Sequence, residues 1–337
     1  MRTVTFTHLC RLPLWWIPLI VLCQVSVGAT EEADLFAKNA KPTLVLQSGA
    51  GEGPAWHPQR GLFFSGPDGI TLMNPSGETQ LFLPDAGSNG LLLDANGHLL
   101  VCQPKKRRVS RMNLQTRELT VLTDQFEGQA YNSPNDITVD SKGRIYFSDP
   151  RYGPRDSMEI ADAQGRPVEG VYRIDLDGHV VRIITHEVDR PNGVLVTPDD
   201  QSLFVADNHN NTVGGPRKLW RFALNDDGSV DAASKRLICD WKTGRGPDGM
   251  AIDQLGRLYV AGGLNEPHLP DETADEFKAG VYVFSPQGER IGFVSIGRDE
   301  VTNCAFGGPV GKTLYITAGG TLWSISTTTA GQTLRSN

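Results

Sequence analysis

Histidine and cysteine are both scarce in this chain, at seven and five among 337 residues. His209 and His268 are too isolated to make a zinc site, and no HExxH pair occurs. The absence of CxxC excludes zinc ribbons and thioredoxin-type chemistry. Cys10 and Cys23 fall within the first 29 residues, so Cys102, Cys239 and Cys304 allow one disulfide at most. Cys102 and Cys304 sit in apolar strand-like runs, where a buried free thiol behaves as a small hydrophobe. No GxSxG elbow and no Walker A loop are present, which argues against a serine hydrolase of that type and against a P-loop nucleotide site. Lys+Arg 32 against Asp+Glu 39 gives a formal charge of -7. Nucleic acid is therefore not expected as a partner, because neutralising phosphates needs a basic surface. No stretch sustains a helical apolar repeat, which excludes a coiled coil.

What is plentiful is turn chemistry, with Gly 37 and Pro 21. The one long apolar run, LPLWWIPLIVLCQVSV, follows Arg11 and leads into the small residues Val27, Gly28 and Ala29. Residues 1–29 are read as a signal peptide, with export to a periplasm or beyond. The run is short for a bilayer and is interrupted by Pro18 and Gln24, so no stable membrane span is expected after cleavage.

A cassette recurs six times: a polar oxygen-bearing residue, usually a small residue, an alternating apolar stretch, a turn and a second apolar strand. The copies begin EGPAWH at Glu52, NGLLLD at Asn89, NDITVD at Asn135, NGVLVT at Asn192, DGMAID at Asp248 and NCAFGG at Asn303. Third and fourth strands follow in most copies, as in GVYRIDLDGHVVRII from Gly170 and GVYVFSPQGERIGFV from Gly280. Repeated four-stranded antiparallel units of this size predict an all-β, six-bladed β-propeller. The last copy ends after LWSI without an outer strand, and TLVLQ at 43–47 is free to supply it. The predicted layout is a lead-in over 30–42, the propeller over 43–326 and a tail over 327–337.

In an up-and-down blade the second strand returns to the face from which the first one starts. The long second loops, 150–169, 208–218 and 262–279, should therefore overhang the repeat-start residues and roof a pocket at one mouth of the channel. Equivalent positions in radial blades converge on the axis, which brings Glu52, Asn89, Asn135, Asn192, Asp248 and Asn303 together. Such hard oxygen donors, without His or Cys, suit Ca²⁺. Each residue taken alone is also explained by local turn chemistry.

The segments EGPAW, SPND, PNG, PDGMAID and TNCAFGGPVGKTLYIT resemble the motifs of the gluconolactonase, senescence-marker-protein and luciferin-regenerating enzyme family, in order and across nearly the whole chain after residue 52. The resemblance implies a six-bladed propeller hydrolase that opens sugar lactones with an axial divalent cation, commonly Ca²⁺, with Mg²⁺, Mn²⁺ and Zn²⁺ as alternatives. It places the metal on Glu52, Asn135, Asn192 and Asp248, and leaves Asn89 and Asn303 as pocket-lining residues. Where some members carry a sugar-recognising Arg before the SPND asparagine, this chain has Tyr131, Asn132 and Ser133. Where close relatives carry CEH, it has Cys102, Gln103 and Pro104.

Lewis-acid polarisation of the lactone carbonyl, with water activated by a carboxylate, follows from that chemistry. Asp248 is the expected base and Glu52 the alternative. Asp149, Tyr152, His209 and Glu266 are assigned to the overhanging loops as candidates for sugar hydroxyls. The basic turn Lys105, Lys106, Arg107 and Arg108 is either a solvated turn or a guide for anionic sugar acids. Two other readings stand beside the lactonase: an esterase or phosphotriesterase on the same metal, and a non-enzymatic propeller stabilised by calcium.

Overall fold

The computed structural model describes residues 35–332, so the expected signal peptide lies outside the described residues. They form six four-stranded antiparallel sheets, five of them built from consecutive segments, plus one small hairpin. Blade 1 shows the plan: Glu52–His57 innermost, then Gly61–Gly66, Gly69–Met73 and Thr79–Pro84. The inner strands of the other five are Leu91–Leu93, Ile137–Val139, Pro191–Val196, Met250–Ile252 and Val301–Gly307. Among the described residues, no helix is long and apolar enough to cross a membrane.

Blade 6 closes the ring as the unpaired segment predicted. Thr43–Leu46 forms its outer strand, pairing Thr43 with Ser324 and Leu44 with Trp323. Both flanks of that seam are also tied down. Ala37 donates its N–H to the Ser326 carbonyl at 2.9 Å, and Thr328 to that of Leu35 at 3.1 Å. Gln332 reaches the carbonyl of Ile252 at 3.0 Å, so the stretch after Ser326 lies along blades 5 and 6.

The apolar stripes of neighbouring blades interleave. Phe63 meets Phe82 edge-on at 5.0 Å and packs with Leu91, Leu99 and Val101 of the next blade. Burying each such side chain contributes about 1.5–3 kcal/mol, which makes the inter-blade seams the main source of stability. At the far end from the roofing loops, the repeated turns DSKGRIY and DQLGRLY are pinned by one device. The Asp140 carboxylate accepts from the Lys142 and Arg144 N–H groups, from Arg144 Nε at 2.5 Å and from the Tyr146 hydroxyl at 2.9 Å. Asp253 does the same with Leu255, Arg257 and Tyr259. The hairpin Gln125–Phe126 with Gln129–Ala130 is an addition that the repeat pattern did not contain. The three cysteines after residue 29 are all free.

Candidate active site

In four of the six copies the residue after the repeat start is a glycine that sits where inner strands approach closely, and its identity follows from that. A Cβ on Gly193 would lie 2.0 Å from the Asp248 carbonyl oxygen, and one on Gly249 would lie 2.0 Å from Asn303 Cγ. Backbone contact between blades draws the starts together, as in the Gly90 N–H donating to the Asn135 carbonyl at 2.7 Å. Glycine is the only residue small enough for such approaches.

Glu52 and Asp248 anchor the polar cluster at the axis. Glu52 Oε2 accepts from its neighbour's Gly53 N–H at 3.1 Å and from Asn303 Nδ2 at 3.2 Å. Asp248 Oδ2 lies 3.3 Å from the donor Asn208 Nδ2 and 3.6 Å from Arg245 Nη2. Asn208 is itself held by the Pro247 carbonyl and by Asn210, which accepts the Gly246 N–H. Asp248 Oδ1 is buried and has no hydrogen-bond partner.

A third buried carboxylate belongs here that the sequence reading passed over. Asp136, directly after Asn135, accepts the Val194 N–H at 3.1 Å. Its signal was the SPND motif itself, which has a carboxylate where four of the six copies have glycine. Burial pushes the Asp136 carboxyl up to about 6. Burial also pushes Asp248 up to about 7, against the pull of Arg245 and with the added repulsion of Asp136. Glu52 is raised well above the ordinary carboxylate range by burial first, then by Asp248 and Asp136. Three carboxylates thus share one site, with Arg245 the nearby counter-charge among the described residues, and Arg245 also serves Glu300 at 3.0 Å.

The roofing loops reach the cluster as the strand direction predicted. Tyr152, from the blade-3 loop, accepts a hydrogen bond from Asn192 Nδ2 at 2.7 Å. Burial and the charge of Asp248 both raise the pKa of this phenol. Asn89 keeps a buried Oδ1 without a partner, and Asn135 makes no side-chain hydrogen bond among the described residues.

Three residues assigned to the loops lie elsewhere or do other work. Asp149 is the last residue of the strand Ile145–Asp149 and is fully buried, its oxygens accepting the N–H groups of Asn132 at 2.8 Å and Ser133 at 2.6 Å. It orders the SPND turn from behind, and burial pushes it up to about 7. His209 is turned onto Asp189. Glu266 is exposed and meets Asp299 only through its own N–H. The basic turn also divides: Arg107 pairs with Glu159 at 2.7 Å and donates to the Tyr131 and Ala130 carbonyls, whereas Lys105 and Lys106 are exposed.

The donor set can be tested against a cation. Among the described residues no group of three or more His, Cys, Asp or Glu is arranged to hold a metal alone, so asparagine oxygens must complete any such site. The unpartnered Asp248 Oδ1 and the two carboxylates Glu52 and Asp248, which outnumber the single cation Arg245 beside them, fit a hard divalent ion, which needs charge and oxygen rather than nitrogen or sulfur.

Residues 50–320 match the family model described as the SMP-30/Gluconolactonase/LRE-like region. This chain belongs to that family. Among curated SMP-30/gluconolactonase-type relatives, a gluconolactonase of Zymomonas mobilis is 28% identical over 307 residues, 89% of this chain and 79% of that one. A pentonolactonase of Haloferax volcanii is 25% identical over 285 residues, 80% of this chain and 81% of its own length. A solved gluconolactonase from Xanthomonas campestris superposes with a TM-score of 0.71 at 27% identity, covering 88% of this chain and 92% of that one.

Proposed function

We propose that this member of the family hydrolyses a sugar lactone at the roofed end of the channel, with a divalent cation, Ca²⁺ in the first place, held by Glu52, Asn135, Asn192 and Asp248. The observation that carries the reading is a pair of carboxylates brought together at the axis, with Arg245 as their nearby cation and one oxygen of Asp248 unpartnered, in a chain whose relatives include two named lactonases. A cation bound there would supply Lewis-acid polarisation of the lactone carbonyl and screen the crowded negative charge.

The rest is the work of the chain. Asn208 and Arg245 hold Asp248 by Oδ2, leaving the unpartnered Oδ1 as the proton acceptor. Water loses its proton to Asp248 as its oxygen bonds to the carbonyl carbon. The ring C–O bond then breaks, and the proton passes to the departing alkoxide, giving an open hydroxy acid. Asn303 fixes Glu52, and the Asn192 amide nitrogen is engaged by Tyr152, so that its carbonyl oxygen is the group free for a ligand.

A pH-stat assay with glucono-δ-lactone, with and without EDTA, tests the reading. Hydrolysis lost on chelation and restored by Ca²⁺ supports it. Activity on aryl esters or phosphotriesters alone would move the protein to a different hydrolase class, and silence on all three would leave a binding propeller. Export through the signal peptide is part of the same proposal, and a mature N-terminus at Thr30 is its expected signature.

A further inference from the structure

Outside the axial cluster, a buried and multiply bonded charge under the roof is Arg190, two residues before Asn192. It is 2% exposed and grips Glu169 with two donors, Nε to Oε2 at 2.9 Å and Nη2 to Oε1 at 3.3 Å. Glu169 closes the blade-3 loop: its carboxylate also accepts the Arg151 N–H at 2.7 Å and binds Arg155. Through Nη1, Arg190 donates to Asn211 of the blade-4 loop. Its guanidinium lies over the Tyr152 ring, 5.2 Å from the centroid. At its own backbone, its N–H donates to Asp207 and its carbonyl accepts from Asn208, the residue that holds Asp248.

One side chain therefore touches two of the three roof loops and the loop tyrosine that reaches the axial asparagine. We infer that Arg190 is a positioning residue: with Glu169 it fixes Tyr152 so that the hydroxyl stays on Asn192 Nδ2 and the asparagine presents its oxygen to the channel. The inference rests on the proposed site for its catalytic consequence, though not for its structural one. Arg suits the task better than Lys, since its planar fork makes the bidentate grip while its charge sits over a ring face.

Two readouts separate these consequences. In hydrogen exchange by mass spectrometry, Arg190→Met is expected to raise exchange at least tenfold in 150–169 and 208–214 while the blade strands stay protected. In steady-state kinetics with glucono-δ-lactone, Arg190→Met and Tyr152→Phe are each expected to lower kcat about tenfold or more. The double variant should be no worse than the poorer single, and Arg190→Lys should recover part of the loss. Tyr152→Phe removes no buried charge, so it keeps the test open if Arg190→Met folds poorly. Unchanged exchange in these two loops, or fully additive kinetic losses, overturns the inference. A wild-type protein that opens no lactone would sink the proposed function, while the exchange measurement would still decide whether Arg190 pins the roof.

Discussion

Asn303 donates through Nδ2 to Glu52 Oε2 at 3.2 Å, joining the last inner strand to the first across 251 positions of sequence. The axial cluster therefore exists only once the ring is closed, and its chemistry depends on the closure. The predictions below follow from how that cluster is built.

Asp248→Asn keeps the size of the side chain and removes both its charge and its basicity. Lactone hydrolysis is expected to fall at least about 10³-fold in kcat, with the β-rich circular dichroism spectrum unchanged. Glu52→Gln should cost less as a base and more in affinity for Ca²⁺, measured by calorimetry. Near-normal turnover in Asp248→Asn would remove it from the base role.

The protonation of the buried acids sets a pH dependence of stability for protein treated with EDTA. Asp248 and Asp149 are raised to about 7, Asp136 to about 6, and Glu52 is raised as well. Each holds a proton in the folded chain at a pH where the unfolded carboxyl has lost it. Their contribution is full below the unfolded carboxyl range near 4 and is lost as pH rises through 6 and 7. His57, lowered by burial, acts in the opposite sense as a single half-buried group. Tm at pH 5 is expected to exceed Tm at pH 8 by roughly 3 °C or more, and Ca²⁺ should raise Tm more at pH 8 than at pH 5. A Tm that climbs steadily over that range would contradict the assignment.

Gly193→Ala places a methyl 2.0 Å from the Asp248 carbonyl oxygen, with backbone on both sides of the contact. A loss of about 2–4 kcal/mol in urea unfolding is expected, since neither strand can move without shifting Asn192 or Asp248. Gly297→Ala, which meets nothing within 4 Å, serves as the control.

The basic turn should split in the same way as its contacts. Arg107→Ala leaves two backbone carbonyls and Glu159 without their donor, at a cost of about 1–3 kcal/mol. Lys105→Ala and Lys106→Ala should fall within about 0.5 kcal/mol of the parent chain. Equal effects at all three positions would mean that the turn acts as a charge cluster rather than through Arg107.

The ring was legible in the sequence because each blade repeats the same hydrogen-bonding and burial problem, and EGPAWH, NDITVD and DGMAID are three solutions to it. The missing sixth outer strand was legible for the same reason, since one unpaired strand remained. Asp149 was misplaced because nothing local separates a carboxylate that caps its own blade's turn from one that faces solvent. Its partners, Asn132 and Ser133, precede it by 17 and 16 positions. Arg190 and Glu169 carried no signal, because an ion pair between neighbouring blades leaves no periodicity. Asp136 was visible yet read as part of a motif, when its contrast with Gly53, Gly90, Gly193, Gly249 and Cys304 marked it as the one charged residue at that position.

The seam in blade 6 has a consequence for how the molecule is made. Thr43–Leu46 leaves the ribosome early, and its partner Thr321–Ser326 emerges nearly last. Through almost all of synthesis the growing chain carries an unmated edge at each end, the kind of edge on which chains join one another. Clipping the first few residues of the ring after assembly should therefore do more harm than clipping any surface loop, because it reopens that edge at the one joint where the circle is held by hydrogen bonds instead of by the continuous chain.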